Sequence, residues 1–209
     1  MKPLRRLLRR VVLALAATAL MIATATALFL TPPAVHLLLR LSGAPVALGV
    51  APEVAEQLSD ALVGDLLAAG AFGVPMNGAP LLSASERAHL VDVGALLRTV
   101  LIAGVCGLVL LCLAGWRRAS WLRVAARDGG RLIAGGALAA AAAFALAFDA
   151  TFTFFHRLFF ADGTWTFNPA TDRLVQLYPE RFWILAAILF CASLALISLL
   201  AFRWSARYR

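Results

Sequence analysis

Four long runs of hydrophobic residues dominate the chain, and each is long enough to cross a lipid bilayer as a helix. A transmembrane helix needs about 20 predominantly apolar residues. The runs cover residues 11–30, 93–115, 132–152 and 182–202. More polar segments separate them, at 31–92, 116–131 and 153–181. The pattern predicts an all-α integral membrane protein, with four transmembrane helices in a single domain over residues 1–209.

Composition and charge support a membrane protein. Hydrophobic residues make up 62% of the chain, well above the share in an ordinary soluble domain. The three cysteines all lie inside apolar runs, which excludes a disulfide framework or a cysteine-rich zinc site in the loops. The net charge of +8 arises from arginine clusters that flank the apolar runs. This distribution indicates membrane orientation rather than binding to nucleic acid.

The distribution of basic residues predicts the orientation. Thirteen of the 19 lysine and arginine residues lie in the N-terminal segment, in residues 116–131 and in the C-terminal tail, whereas 31–92 and 153–181 together contain five. The positive-inside rule therefore places both termini and the 116–131 loop in the cytoplasm. Segments 31–92 and 153–181 are then extracytoplasmic, with amphipathic helices between spans one and two and between spans three and four.

The first apolar run has two interpretations. Ala25-Thr26-Ala27 resembles a signal-peptide cleavage site. The apolar core of a signal peptide is usually ~7–15 residues long, however, and this run is longer. We therefore expect a retained transmembrane helix. In span three, Gly135, Gly136 and a run of alanines predict close packing against another helix.

The segment between spans one and two predicts two helices. Over Pro52–Gly70, an apolar stripe recurs at helical spacing, which predicts an amphipathic helix lying on the bilayer surface. The stripe consists of Val54, Leu58, Leu62 and Leu66. Gly70–Pro80 is predicted to be a loop. Ser83 and Glu86 then form a capping-box pattern, so a helix should begin near Ala84 and continue into span two.

The segment between spans three and four is rich in aromatic residues. A turn is expected at Asp162-Gly163, a helix start at Asn168-Pro169 and a helix end at Tyr178-Pro179. The aromatic residues are typical of a membrane-interface belt, and they would equally suit the wall of a groove for acyl chains. The candidates for such a substrate groove are Phe152, Phe155 and Trp165.

Three histidines occur in the predicted extracytoplasmic part, and two of them, His89 and His156, have a carboxylate at helical spacing. Asp92 lies three residues after His89, and Asp149 lies seven residues before His156. An imidazole oriented by a carboxylate is suited to general acid–base chemistry near neutral pH. Taken singly, His89 is equally explained as a solvated residue and His156 as an interfacial anchor. The prediction of a catalytic pair depends on their occurring together.

The remaining polar residues leave alternatives open. Arg157 and Arg181 are suited to stabilising a phosphate or an oxyanion, or to snorkelling at the interface. On residue type alone, His89, His156, Asp92 and Asp149 would also suit a zinc site. The chain lacks HExxH, GxSxG, Walker and CxxC motifs, which weighs against a covalent acyl-enzyme and a nucleotide-driven pump.

Two stretches carry a resemblance to a known family. They are E-R-A-H-L-V-D-V at Glu86–Val93 and, within residues 155–183, F-H-R-L-F-F, W-T-F-N-P-A-T-D-R-L and Y-P-E-R-F-W. These stretches resemble the lipoprotein intramolecular transacylase (Lit) family of bacterial four-helix membrane proteins. The resemblance covers most of the chain in topology and is specific in these two stretches.

The resemblance implies a cofactor-independent acyltransferase in the bacterial cytoplasmic membrane, with its active site on the extracytoplasmic face. It implies transfer of the sn-2 acyl chain of a diacylglyceryl-cysteine lipoprotein to the α-amine of that cysteine, which gives a lyso-form lipoprotein. The two functional histidines of the family would fall on His89 and His156. We expect His89 to be the general base and His156 to act on the oxyanion.

Supporting residues and partners complete this hypothesis. Asp92 and Asp149 would orient the histidines, and Arg157 or Arg181 would stabilise charge. The expected partners are the diacylglyceryl-modified lipoprotein and membrane lipids, with no nucleic acid, no cofactor and no metal. Two other hypotheses remain open: a non-catalytic membrane protein that binds a lipid-anchored partner, and a zinc-dependent membrane hydrolase.

Overall fold

The computed structural model describes residues 2–207, and this part of the chain is almost entirely helical. The helices are α1 (Lys2–Phe29), α2 (Pro32–Ser42), α3 (Ala44–Leu48), α4 (Pro52–Ala68), α5 (Ala84–Arg117), α6 (Ala119–Leu146), α7 (Phe148–Phe159), α8 (Arg173–Leu177) and α9 (Glu180–Ala206). A short hairpin of β1 (Pro75–Met76) and β2 (Ala79–Pro80) lies between α4 and α5.

Four of these helices, α1, α5, α6 and α9, are long and apolar enough to cross a membrane. The prediction of an all-α membrane protein with four spanning helices is therefore confirmed. As the capping box predicts, α5 begins at Ala84 and continues without a break into the second span. Between spans one and two the chain forms α2–α4, and between spans three and four it forms α7 and α8.

The prediction of a loop over residues 116–131 is wrong. Helix α5 continues through Arg117, α6 begins at Ala119, and Arg118 alone separates them. The Trp121 amide donates a hydrogen bond to the Arg118 carbonyl across this junction. Arginine is a good helix former, so an arginine cluster marks a membrane boundary without ending a helix.

The predicted third span ends earlier than expected. Helix α6 stops at Leu146, and Ala147 has φ −153° and ψ 65°, outside the helical region. A separate helix, α7, begins at Phe148. Across the break, the Thr151 hydroxyl donates a hydrogen bond of 3.1 Å to the Ala143 carbonyl. A threonine side chain that bonds to the backbone in this way competes with the regular helical ladder and stabilises the interruption.

The described residues fall into two compact units. The first comprises those within 1–28, 99–142 and 189–209, and the second comprises 29–98 and 143–188. The first unit packs Met21 and Ala25 of α1 against Ile133 of α6 and Leu194 of α9.

Small residues allow close approach in the first unit, but at other positions than expected. A Cβ at Gly107 would lie 2.5 Å from the Ala16 carbonyl oxygen of α1. In contrast, a Cβ at Gly135 or Gly136 would meet no heavy atom within 4 Å among the described residues. The predicted close packing of this glycine pair is therefore wrong, because the pair faces away from the neighbouring helices.

In the second unit, α4 lies against protein. Leu58 and Leu62 of its predicted apolar stripe are buried, and α4 packs on α2 and α3. Three ion pairs join α2 to α4: Arg40 to Glu56, His36 to Asp60 and His36 to Glu56. Leu58 and Leu62 therefore contact protein, because the preceding short helices cover them, whereas Val54 of the same stripe is exposed.

The predicted loop at 70–80 contains the β1–β2 hairpin, in which Pro75 pairs with Pro80 and Met76 with Ala79. Asn77 and Gly78 form its turn, with φ values of 53° and 80°. Two positive φ values at an Asn-Gly pair are the requirement of a type I′ hairpin turn.

The short helix α8 begins later than the sequence predicts. Asn168 caps a local turn, because its side-chain oxygen accepts the Ala170 amide at 3.0 Å. The Asp172 carboxylate in turn accepts the Asn168 amide at 2.7 Å. Helix α8 therefore starts at Arg173 and not at Asn168, although it ends before Tyr178-Pro179 as predicted.

Candidate active site

His89 lies in the first turns of α5, and its position is fixed by the capping box one turn earlier. The Glu86 carboxylate accepts the Ser83 amide at 2.7 Å through Oε2. Through Oε1 it accepts the Leu174 amide of α8, also at 2.7 Å. Glu86 is only 2% exposed, and His89 is 6% exposed. One carboxylate thus joins the start of α5 to the segment between spans three and four.

His156 lies on α7, is 9% exposed, and has a defined tautomer. Its Nδ1 atom is 2.8 Å from the Phe152 carbonyl oxygen. A carbonyl only accepts hydrogen bonds, so Nδ1 must carry the proton and Nε2 keeps its lone pair in the neutral ring. Burial lowers the pKa of His156, while its hydrogen bond to Phe152 acts in the opposite direction. The net effect favours the neutral imidazole.

The two histidines lie side by side in an aromatic enclosure. Their ring centroids are 6.0 Å apart, with the planes inclined by 28°. The ring centroids of Phe160 and Phe167 lie 5.0 and 5.6 Å from that of His89. The ring centroids of Phe152, Trp165 and Phe155 lie 4.0, 4.9 and 5.5 Å from that of His156. The structure therefore brings together both predicted histidines and all three predicted groove residues.

Two buried polar atoms of this enclosure have no partner. Within residues 2–207, no protein group forms a hydrogen bond with His89 Nδ1 or Trp165 Nε1. Leaving such an atom unsatisfied costs about 1–3 kcal/mol. Unsatisfied groups gathered at one place are expected where a ligand supplies the missing partner.

The predicted orienting carboxylates do not contact the histidines. Asp92 and Asp149 are exposed, and no hydrogen bond joins either of them to His89 or His156 in the described part of the chain. The carbonyl of Phe152, one turn earlier on α7, orients His156 instead. Helical spacing indicates which residues share a face, but not whether a side chain points inward.

The two predicted arginines also lie outside the enclosure. Both are exposed. The closest approach of Arg157 to a carboxylate is 3.9 Å, from Nε to Asp162 Oδ1. Arg181 lies in the first turn of α9, and within residues 2–207 it forms no ion pair. The expectation that they stabilise charge at the histidines therefore has no contact to support it.

Sequence reasoning missed several residues that shape the site. Phe160 and Phe167 both pack on His89, and only their place in an aromatic-rich segment indicated this. Tyr178 was assigned only as a helix end. Its hydroxyl lies 2.8 Å from Ser59 Oγ and joins this segment to α4. Burial raises the pKa of Tyr178 to about 12, so the hydroxyl remains protonated.

Fold and site together define a multi-pass membrane protein with a buried histidine pair. One histidine lies near the start of α5 and the other on α7. Residues 71–183 match the family model described as lipoprotein intramolecular transacylase Lit. This match covers more than half of the chain, and the protein belongs to the Lit family. The prediction of a membrane-embedded transacylase is thereby confirmed.

Solved structures agree with this assignment at the level of fold. The membrane-integral lipoprotein intramolecular transacylase Lit from Bacillus cereus superposes with a TM-score of 0.78 at 21% identity, over 99% of this chain and 98% of that chain. Two variants of the B. cereus protein, with one histidine replaced by arginine or by alanine, superpose with TM-scores of 0.72 at 19% identity. They cover 92% and 94% of their chains and 99% of this one. No similar sequence was found among curated proteins.

Proposed function

We propose that the protein transfers the sn-2 acyl chain of a diacylglyceryl-modified lipoprotein to the α-amine of that lipoprotein's own N-terminal cysteine. The product is an N-acylated lyso-form lipoprotein. The observation that carries this proposal is the buried histidine pair, in which the Phe152 carbonyl holds the proton of His156 on Nδ1. A buried base of this kind is what an amine needs in order to attack an ester.

In this proposal His156 is the general base, whereas the sequence favoured His89. His156 presents Nε2 with a free lone pair, because its Nδ1–H donates to the Phe152 carbonyl. The Nδ1 atom of His89 has no such partner among the described residues, and its tautomer is therefore free to suit the ligand. We assign His89 to the oxyanion.

The reaction then proceeds in two steps. The neutral amine attacks the sn-2 ester carbonyl, a C–N bond forms, and His156 Nε2 takes the proton that the amine loses. The tetrahedral intermediate collapses, the bond from carbonyl carbon to glyceryl oxygen breaks, and the protonated His156 returns the proton to that oxygen. Protons balance, and no cofactor is consumed. Since amine and ester belong to one molecule, positioning alone can contribute about 7–11 kcal/mol.

The oxyanion needs hydrogen-bond donors in the enclosure. Trp165 Nε1–H is a donor only, it is buried, and no group within residues 2–207 accepts from it. We assign this atom, together with His89, to the carbonyl oxygen as it acquires charge. Phe155 is 41% exposed and Phe152 is half-buried. These two rings would then contact the acyl chain at the open side of the enclosure.

The orientation in the membrane is part of the proposal. We place the protein in the bacterial cytoplasmic membrane, with both termini in the cytoplasm and the histidine pair on the extracytoplasmic face. The excess of arginine near the termini and the α5–α6 junction supports this arrangement. Lipoproteins and membrane lipids are the proposed partners.

The zinc-hydrolase hypothesis finds no ligand set. In the part of the chain that the structure describes, no three His, Cys, Asp or Glu side chains come close enough to hold a metal ion. The carboxylates that it would require, Asp92 and Asp149, are both exposed.

The test is mass spectrometry of a lipoprotein's N-terminal peptide from cells that lack other N-acylating enzymes. Wild-type protein should convert the free-amine diacylglyceryl peptide into the N-acyl, monoacylglyceryl form, which has the same mass and a distinct fragmentation pattern. His156→Gln should reduce the rate by about 10²–10⁴-fold, because glutamine cannot accept the proton. His36→Gln is the matched control, since His36 pairs with Asp60 and lies outside the enclosure.

Each outcome separates the hypotheses. If the wild-type protein is present in the membrane and the peptide stays unconverted, the proposed reaction is wrong. If conversion occurs but His156→Gln retains it, the assignment of the base is wrong. A protein that only binds a lipid-anchored partner would leave the peptide unchanged in every variant, and bound zinc in the purified protein would favour the hydrolase.

A further inference from the structure

A second candidate site lies in the first compact unit, where α1 begins, α5 ends and α6 begins. Four arginines and one tryptophan line a cavity of about 730 Å³. They are Arg6, Arg9, Arg117, Arg118 and Trp121. The Arg9 guanidinium lies over the Trp121 ring, 4.0 Å from its centroid. This stacking holds one cation against the aromatic wall of the cavity.

The four guanidinium groups of this cavity have no carboxylate to neutralise them. The sequence of the first unit contains a single acidic residue, Asp128. Its carboxylate is already occupied, because both oxygens accept hydrogen bonds from Arg10 and Arg131 lies 3.5 Å away. Among the described residues, none of the four cavity arginines forms an ion pair. An anion is therefore the missing partner.

The surroundings of the cavity distinguish between possible anions. A neighbouring cleft of about 490 Å³ shares Arg117 with the basic cavity and is otherwise lined by Leu113, Ala114 and Trp116. Trp116 is 93% exposed. A free phosphate would use only the basic cavity. A phospholipid would place its phosphate among the guanidinium groups and the start of an acyl chain along the apolar cleft.

We propose that this cavity binds the headgroup of an anionic phospholipid, with Arg117 at the boundary between the headgroup and acyl-chain parts of the site. Arginine binds phosphate oxygens with two parallel hydrogen bonds, and basic pockets between transmembrane helices are suited to anionic headgroups. This inference does not depend on the proposed transacylase reaction, since none of its residues belongs to the histidine enclosure.

The test uses the purified full-length protein in a non-ionic detergent, with phosphatidylglycerol added to the micelles. Phosphatidylcholine and inorganic phosphate are the two comparison ligands. Native mass spectrometry measures lipid retained per protein, and the melting temperature reports stabilisation. We expect retention and a rise in melting temperature with phosphatidylglycerol, and neither effect with phosphatidylcholine or with phosphate alone at the same concentration.

The variants separate a specific site from general attraction to positive charge. Arg6→Gln, Arg117→Gln and Arg118→Gln together should weaken phosphatidylglycerol retention by about tenfold or more, which corresponds to about 1.4 kcal/mol or more for the three arginines together. The matched control is Arg5→Gln, Arg203→Gln and Arg207→Gln together. It removes the same amount of positive charge from residues that do not line the cavity. Retention by the control should stay within about twofold of wild type.

The single variants Arg118→Gln and Trp116→Ala cover the case in which the triple variant fails to fold. Each should weaken phosphatidylglycerol retention by about threefold or more, because Arg118 lines the basic cavity and Trp116 lines the apolar cleft. Equal losses in the cavity and control variants would overturn the proposal in favour of diffuse attraction. Equal binding of phosphatidylcholine, or binding of phosphate alone with the affinity of the lipid, would also overturn it.

Discussion

At the residue scale, two tryptophans differ in whether the indole N–H has a hydrogen-bond acceptor. Trp165 lies between spans three and four, and Trp183 lies near the start of α9. Trp183 Nε1 donates a hydrogen bond of 3.1 Å to the Tyr178 carbonyl. Trp165 Nε1 is buried beside His156 and has no acceptor within residues 2–207. Both are tryptophans close to a predicted membrane boundary, where aromatic residues form an interface belt, and only side-chain positions distinguish them.

This difference predicts the effect of removing one donor. Trp165→Phe keeps an aromatic ring against His156 but removes Nε1–H. If the donor stabilises the oxyanion, the rate of N-acyl product formation should fall by about 10²–10³-fold. The rate is measured on the purified enzyme with a synthetic diacylglyceryl peptide, and the melting temperature is recorded in parallel.

Trp183→Phe is the control for this variant. It removes a satisfied hydrogen bond, so the free energy of unfolding should fall by about 0.5–1.5 kcal/mol, with the rate changing less than about threefold. A Trp165→Phe enzyme that works at the wild-type rate would show that Nε1 plays no part in the chemistry.

At the scale of elements, Glu86 joins a helix start to a distant segment. The capping box predicted the bond to Ser83, because both residues lie within four positions of each other. The bond to the Leu174 amide joins residues 88 positions apart, and no local pattern predicts it. Since His89 follows Glu86 by one turn of α5, the same carboxylate holds the histidine against the segment that carries Trp165 and Phe167.

Glu86→Gln tests this connection. Ser83 and Leu174 donate to different oxygens of the carboxylate, and glutamine replaces one of these oxygens by an NH₂ group that cannot accept, so one of the two bonds is lost. Losing one charge-assisted bond inside the protein should lower the free energy of unfolding by about 1.5–3 kcal/mol. Hydrogen exchange at the Leu174 amide should become faster, and peptide-level mass spectrometry would detect it.

Ser83→Ala is the matched variant for this experiment. It removes the weaker half of the cap, the 3.3 Å bond from the Glu86 amide to Ser83 Oγ, and leaves the carboxylate in place. It should cost about 0.5–2 kcal/mol without faster exchange at Leu174. Equal exchange at Leu174 in both variants would mean that Glu86 acts only as a cap.

At the scale of the whole molecule, helix packing in the first unit depends on which glycine faces another helix. Gly107 of α5 faces the backbone of α1 at Ala16. Gly135 of α6 is exposed and has open space around it. In a membrane, close approach of this kind replaces the hydrophobic effect as a source of helix association.

The contrast predicts opposite effects of the same substitution. Gly107→Ala would place a methyl group 2.5 Å from a backbone oxygen, which cannot move as a flexible side chain would. The free energy of unfolding should fall by about 1–3 kcal/mol. Gly135→Ala should leave the free energy of unfolding unchanged or raise it by up to about 1 kcal/mol, because alanine is the better helix former. Unfolding in mixed micelles measures both, and equal effects would contradict the close contact.

The sequence by itself determined the four apolar helices, the capping box at the start of α5 and the aromatic character of the segment around His156. These features depend on composition and on neighbours within a turn or two, which the order of residues fixes directly. Only the tertiary structure decided that His89 and His156 stack, that the Phe152 carbonyl and not Asp149 bonds to His156, and that Asp92, among the described residues, forms no hydrogen bond with His89. Those outcomes depend on contacts between residues more than 60 positions apart and on side-chain direction, which local periodicity leaves undetermined.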